Sequence, residues 1–325
     1  MHPAFSVIFL TTLIGAAQGL FLALMAGQVY SDIGVLVEAD ENLFFTYGTL
    51  VVVILMGLGL FASLFHLGRP ERAWRAAAMW RTSWLSREVI VLPLFTLTVM
   101  IWGALHYSGF NPVVFSPTAN VHVSLTMAIG LIGAGLAMLL YLCTGMIYAA
   151  VRFIQEWASP LTVINYTLLG LASGFSLSAA LASWLQFEST VFYANWAILL
   201  TVVGFITRMA SLRRNAGLKI KSSAQTAIGV RHPNIRQTSQ GAIGGSFNTR
   251  EFFHHRSEFT VGLIKLFFIL TVFPIPVALL ALGINVEHYP VFLLAFTLQY
   301  IGLLAERWYF FAQARHPQNI YYAAA

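Results

Sequence analysis

Apolar residues in this chain run in long blocks separated by short polar stretches. Eight blocks of about 20 or more residues lie at roughly 6–30, 43–66, 88–107, 121–150, 160–186, 190–210, 259–284 and 288–312. A helix rises 1.5 Å per residue, so each block is long enough to cross about 30 Å of hydrocarbon. Inside lipid a backbone has no water to bond to, which leaves the helix as the form such blocks can take. The pattern predicts an all-α integral membrane protein, a bundle of eight transmembrane helices forming a single membrane domain over 1–325. The fifth and sixth blocks are parted only by Gln186-Phe187-Glu188-Ser189, which predicts a tight helical hairpin. Pro274 and Pro276 fall inside the seventh and predict a kink, because each removes a backbone donor. The only extended polar stretch is 211–258.

Composition supports lipid as the solvent. Hydrophobic residues make up 58% of the chain and charged residues 9%, against about 25% charged in soluble domains. A soluble interior for 325 residues could not hide that much apolar side chain. The first 28 residues contain neither Lys nor Arg, so they lack the basic n-region of a signal peptide and read as a retained first span. The single cysteine, Cys143, excludes an internal disulfide, an iron–sulfur cluster and a cysteine-based zinc site within this chain.

Charge then orients the bundle. With eight spans, both termini share a face with the stretches 67–87, 151–159 and 211–258. All 18 Lys and Arg residues are assigned to that face, including Lys265 and Arg307 near helix ends. Asp32, Glu38, Asp40, Glu41, Glu188 and Glu287 fall on the other. The positive-inside rule makes the basic face cytoplasmic, with both termini inside, in a bacterial cytoplasmic (inner) membrane. The basic balance is therefore topological and calls for no nucleic-acid partner. Lys265 and Glu306, near cytoplasmic helix ends, read as snorkelling side chains.

Candidate chemistry concentrates between His66 and Glu88, in HLGRPERAWRAAAMWRTSWLSRE. Gly68-Arg69-Pro70 stops the second helix. Arg72, Trp74, Arg75 and Trp80 then read as a short interfacial amphipathic element, with Trp and Arg at headgroup level. Ionisable groups at the edge of hydrocarbon are costly and tend to face an interior cavity. A neutral imidazole at His66 can hydrogen-bond a carbonyl and pass a proton at neutral pH. A carboxyl at Glu88 can relay protons. Each also has a plain reading: an interfacial histidine, and a first-turn acid favoured by the helix dipole with Ser86 as N-cap.

FHLGRPERAWRA followed by RTSWLSRE resembles the DmsC-like family, the membrane anchors of dimethyl sulfoxide reductase-type enzymes. The resemblance implies a subunit that exchanges electrons between membrane quinone, ubiquinone or menaquinone, and an iron–sulfur partner serving a molybdopterin catalytic subunit. It puts the family's quinone-site histidine on His66, with Arg72 and Glu88 as charged neighbours. Ser63, Arg69, Thr11, Gln18, Tyr141, Thr144 and Tyr148, all placed in cytoplasmic helix halves, are the candidates for completing the quinone pocket. Each of these also reads as ordinary helix packing. Within the family, GGSFNTREFFHHRSE in 211–258 looks like the anchors of Soe-type sulfite dehydrogenases, and that loop is expected to dock the partner subunit on the cytoplasmic face.

No histidine pair falls at mid-membrane, so neither haem nor any other metal is expected. Alternatives are an anchor oxidising menaquinol for a dimethyl sulfoxide reductase, a passive tether and, from another class, a secondary transporter. The transporter predicts internal repeats and paired broken helices, and the sequence displays no clear repeat. The orientation has a direct check in a Cys143→Ser background. A membrane-impermeant maleimide should label Glu188→Cys in intact spheroplasts, and Arg231→Cys only after permeabilisation. The reverse labelling would invert the topology.

Overall fold

The computed structural model describes residues 1–36, 40–118, 121–219, 223–232, 234–235 and 254–317. Among the described residues, eight helical spans are long and apolar enough to cross a membrane. The first four are α1 (Phe5–Asp32), α2 (Glu41–Ser63), α3 (Trp84–Ser108) and α4 (Leu125–Ala149). After them come α5 (Pro160–Trp184), α6 (Thr190–Ala216) and a short α7 (Ala224–Ile228). The chain then forms α8 (Glu258–Val272) and α9 (Pro274–Val286), which make up one broken span, and α10 (Tyr289–Ala312).

The spans form two groups of four. In one, α1 packs on α2, α2 on α3, α3 on α4 and α4 back on α1. In the other, α5 packs on α6, α6 on α9, α8 and α9 on α10, and α10 back on α5. The first helices of the two groups, α1 and α5, face each other along the seam and are the most buried spans. Gly15-x-x-x-Gly19 meets Gly170-x-x-x-Gly174 there: a Cβ on Gly174 would land on the carbonyl carbon of Gly19, and one on Gly19 would land on the carbonyl of Gly170. In lipid, where helices gain nothing from excluding water, such small-residue stripes let backbones close to van der Waals contact. The first residues of α1 and the last of α10 meet on one face, where the Met1 amine donates to the carbonyls of Phe311 and Ala314.

Four helix ends differ from the apolar blocks, each for a local reason. Residues 121–124 are not helical. Val113–Thr118 and Val121–Ser124 pair antiparallel as a hairpin, β1 and β2, with Val113 opposite Ser124. β-Branched valines fit a strand as well as a helix, and an apolar run alone does not distinguish them. Ser124 then caps α4 by accepting from the Met127 amide. The second helix stops at Ser63, so His66 sits in the turn beyond it. The third begins one turn before Glu88, capped by Ser83 rather than Ser86. α6 continues to Ala216 because Arg214 and Asn215 bond the carbonyls of Gln155, Ala158 and Glu156 in the α4–α5 loop.

The kinked seventh span is a full break at Phe273. Pro276 cannot donate to the Val272 carbonyl, and the buried Gln299 amide of α10 supplies that bond at 3.3 Å while also donating to Thr201 Oγ1 at 3.0 Å. Within 211–258, residues 236–253 lie outside the described residues, and Phe247, Phe252 and Phe253 with them.

The seam makes a sharp prediction. Gly174→Ala should lower the thermal stability of the detergent-solubilised protein, by about 1–3 kcal/mol as for overpacking elsewhere. Gly57→Ala, with open space around it, should leave stability unchanged or slightly raised. Equal responses would mean that the crossing is not close-packed.

Candidate functional site

A narrow cavity of about 20 Å³ opens in the seam, lined by Leu10, Thr11, Ile14, Gly15 and Gln18 of α1, Glu88 of α3, Tyr141 and Thr144 of α4, and Tyr166 of α5. Glu88 is four residues into its helix, Tyr166 six and Gln18 thirteen, so the lining runs from about 6 to about 20 Å below the face that carries Met1 and the end of α10. Glu88 is at the depth of the outer hydrocarbon, where an ionisable group needs partners.

Most of its hydroxyls are already committed. Thr11 donates to the Val7 carbonyl at 2.9 Å, as serines and threonines in membrane helices often do. Tyr141 donates to the Gly15 carbonyl at 2.7 Å, which straps α4 to α1 at the glycine crossing. Thr144 donates to Glu88 Oε1 and so holds the carboxylate towards the cavity. Gln18 is fully buried with its Oε1 unpartnered, and Tyr166, also buried, has an unpartnered hydroxyl.

The sequence candidates thus divide. Thr11, Gln18, Glu88, Tyr141 and Thr144 come together in the cavity. Tyr148 stands behind it, its ring stacked on Tyr166 at 5.5 Å. His66, Ser63, Arg69 and Arg72 do not line it. Ser63 closes α2 and back-bonds to Leu60, and the other three belong to the exposed connection from α2 to α3 on the same face, where Arg72 lies 3.7 Å from Glu71. Partial burial holds the His66 imidazole below its ordinary pKa, which favours the neutral ring.

The Arg–Trp segment after His66 forms the expected surface element, as an unusually long 3₁₀ turn from Pro70 to Met79 with no buried residue. Trp74 and Trp80 are 70% and 53% exposed. Arg75, Arg81 and Arg87 stand over the rings of Trp74, Trp80 and Trp84 at 5.5, 5.4 and 4.2 Å. Arg87 also ties the segment to α3 by donating to the carbonyls of Trp80 and Arg81, both at 2.9 Å.

Behind Tyr166 is a feature that the sequence pattern did not reveal. Glu306 does not snorkel. It is 1% exposed, with Arg208 of α6 at 2.8 Å and its neighbour Arg307 at 3.6 Å, both also buried. The Arg307 guanidinium lies 3.4 Å from the centre of the Tyr166 ring. Two cations therefore share one carboxylate, and Arg208 Nε and Nη2 and Glu306 Oε2 meet no partner in hydrogen-bonding geometry. The signal available was Arg208, Glu306 and Arg307 within apolar helices. Their pairing, however, joins two helices about 100 residues apart in the chain, beyond the reach of any spacing rule.

Among the described residues no three His, Cys, Asp or Glu side chains gather as a metal site. Removing the shared anion tests the cluster. Glu306→Gln should cost about 3–5 kcal/mol, since it leaves two guanidiniums buried against each other. It should depress recovery of folded protein from the membrane, whereas Glu258→Gln on the exposed start of α8 should not. Normal recovery of both would mean that the cluster is open to water.

The sequence profile described as "DMSO reductase anchor subunit (DmsC)" matches residues 1–311. The sulfite dehydrogenase C-subunit of Allochromatium vinosum is 53% identical over 322 residues, which is 99% of each chain. "Anaerobic dimethyl sulfoxide reductase chain YnfH" of Escherichia coli is 26% identical over 147 residues, covering 45% of this chain and 48% of that one. With its eight spans and a match across nearly its whole length, the chain belongs to the DMSO reductase anchor subunit (DmsC) family.

Proposed function

We propose that this protein is the membrane anchor and quinone-reactive subunit of a sulfite dehydrogenase complex, passing electrons from an iron–sulfur partner to membrane quinone. The observation that carries the reading is the 53% identity to a sulfite dehydrogenase C-subunit over 99% of both chains. The overall conversion is sulfite, water and quinone to sulfate and quinol. The family match also accommodates a complex running the same site backwards, from quinol to an S-oxide. The full-length relative favours sulfite.

On this reading the termini and the Arg–Trp segment face the cytoplasm, where an iron–sulfur subunit and its molybdopterin partner dock. The segment 69–87 supplies docking charge and rigid aromatic area, both features of protein interfaces, and the polar stretch 211–258 completes the contact. A quinone, when bound, supplies the two-electron, two-proton acceptor. The residues suit its head: apolar Leu10 and Ile14, with Gln18, Glu88 and Tyr166 offering polar atoms at one end. The cavity is wide enough for a carbonyl edge and not for a whole ring, so the ring is proposed to lie at its mouth. His66, neutral and on the same face, hydrogen-bonds and exchanges a proton there, and Arg72 and Arg69 stand beside it. Glu88, held by Thr144, brings protons in from the cytoplasmic side. Electrons and protons then arrive from one side, and turnover is electrically neutral.

The test is to purify the tagged protein in mild detergent, identify its partners by mass spectrometry and assay sulfite-dependent quinone reduction. Iron–sulfur and molybdopterin subunits should co-purify, and sulfite should reduce quinone. His66→Ala and Glu88→Gln should each lower quinone turnover at least tenfold while leaving the complex assembled and sulfite:ferricyanide activity intact. Partners inert to sulfite would move the substrate to S-oxides. A chain purifying alone would remove the reading.

A further inference from the structure

We infer that Tyr166 is the hydroxyl that donates to the quinone carbonyl in the seam cavity, and that Arg307, stacked on its ring, is the positioning residue that makes it a strong donor. The inference rests on the quinone-reactive reading above and names a contact that the sequence did not disclose.

Most of the protons in the cavity are already committed. Four hydroxyls line the cavity. Thr11, Tyr141 and Thr144 donate theirs to the Val7 carbonyl, the Gly15 carbonyl and Glu88. Tyr166 is 4% exposed and its hydroxyl makes no hydrogen bond of good geometry. In its weak contact with the Tyr148 hydroxyl Tyr166 is the accepting side, so its own proton stays uncommitted. A buried hydroxyl without a partner costs about 1–3 kcal/mol. A site that receives a carbonyl is where such a group gains from being left open, because the ligand then supplies the missing acceptor.

Arg307 supplies the second half. Its guanidinium is 3.4 Å from the ring centroid, close contact for a cation over an aromatic face. A cation there draws electron density from the phenol and strengthens its O–H as a donor. Glu306 fixes Arg307 in place, and Arg208 holds Glu306 from the other side. The cluster carries two cations against one carboxylate, and Arg307 brings its excess positive charge onto the Tyr166 ring. It therefore favours negative charge developing on an oxygen in the cavity. The charged and titratable groups acting on Tyr166 come from three packed helices: Arg307 and Glu306 of α10, Glu88 of α3 and Tyr148 of α4.

The experiment uses the intact complex, with short-chain ubiquinone and menaquinone as probes and ferricyanide as an acceptor that bypasses the anchor. Tyr166→Phe keeps the ring and its stacking and removes only the hydroxyl. It should raise KM or lower the rate for quinone about tenfold, and weaken binding of a fluorescent quinone analogue similarly, with ferricyanide activity unchanged. Arg307→Lys keeps the charge but loses the planar stack. It should shift the pH profile of kcat/KM for quinone and leave the ferricyanide profile in place. Wild-type kinetics in Tyr166→Phe would overturn the donor, and an unmoved pH profile in Arg307→Lys would overturn its positioning role. Parallel loss of both activities in Tyr166→Phe would indicate a packing role and overturn the donor as well. A wild-type complex that reduces ferricyanide but neither quinone would instead defeat the quinone reading itself.

Discussion

Everything in this bundle is arranged around the contact of α1 with α5, two helices that touch backbone to backbone through Gly19 and Gly174. Lipid gives no reward for burying apolar surface, so association depends on how closely two helices approach. The glycines remove the side chains that would hold them apart. Two groups of four helices are thereby joined along one seam. The same close approach sets the position of Gly15, whose carbonyl takes the Tyr141 hydroxyl and brings α4 in. A cavity exists where the seam widens one to two turns above the crossing, at Thr11, Glu88, Thr144 and Tyr166.

The second constraint is that polar groups in hydrocarbon must find partners. Far from the cavity they do so economically. Gln28 donates to Thr126 and accepts from Trp102, and Asn111 caps Thr126, so that the hairpin end is locked by side-chain bonds. Gln299 repairs the carbonyl that Pro276 leaves open. Around the cavity the rule is visibly relaxed: Gln18 Oε1, the Tyr166 hydroxyl and parts of the Arg208–Glu306 pair have no partner in good geometry. Buried polar atoms without a partner also occur elsewhere among the described residues, at His106 Nε2, Ser176, Ser178 and Gln299 Oε1, and of all of them Gln18 and Tyr166 are the ones that line the cavity.

The proposed site then spans two layers. Near the surface, His66 and the Arg–Trp segment form the exposed layer, proposed to face the partner subunits. Deeper in, Glu88 and Tyr166 face a cavity with walls of Leu10 and Ile14. The charge cluster that touches Tyr166 belongs to the second helix group, whereas Glu88 belongs to the first. Tyr166 thus lines the cavity with Glu88 and carries Arg307 on its ring.

The sequence by itself determined the number of spans, because an apolar block of about 20 residues has few other fates. It also determined that the seventh span bends at Pro274 and Pro276, the Arg–Trp surface element and the family, through residues adjacent in the chain. It placed Thr11, Gln18, Ser63, Tyr141, Thr144 and Tyr148 in the same halves of their helices, since depth follows from counting residues along a helix, although Ser63 and Tyr148 do not line the cavity. Rotation and neighbour choice were not available from counting. Lipid-facing and buried positions are equally apolar, so no stripe revealed which face of α1 meets α5. Only the tertiary structure decided that Gly19 meets Gly174, that Glu306 is clamped by Arg208 rather than reaching for water, and that Arg307 lies on Tyr166. Those contacts join residues far apart in the chain, and they form because the glycine seam brings their helices within reach.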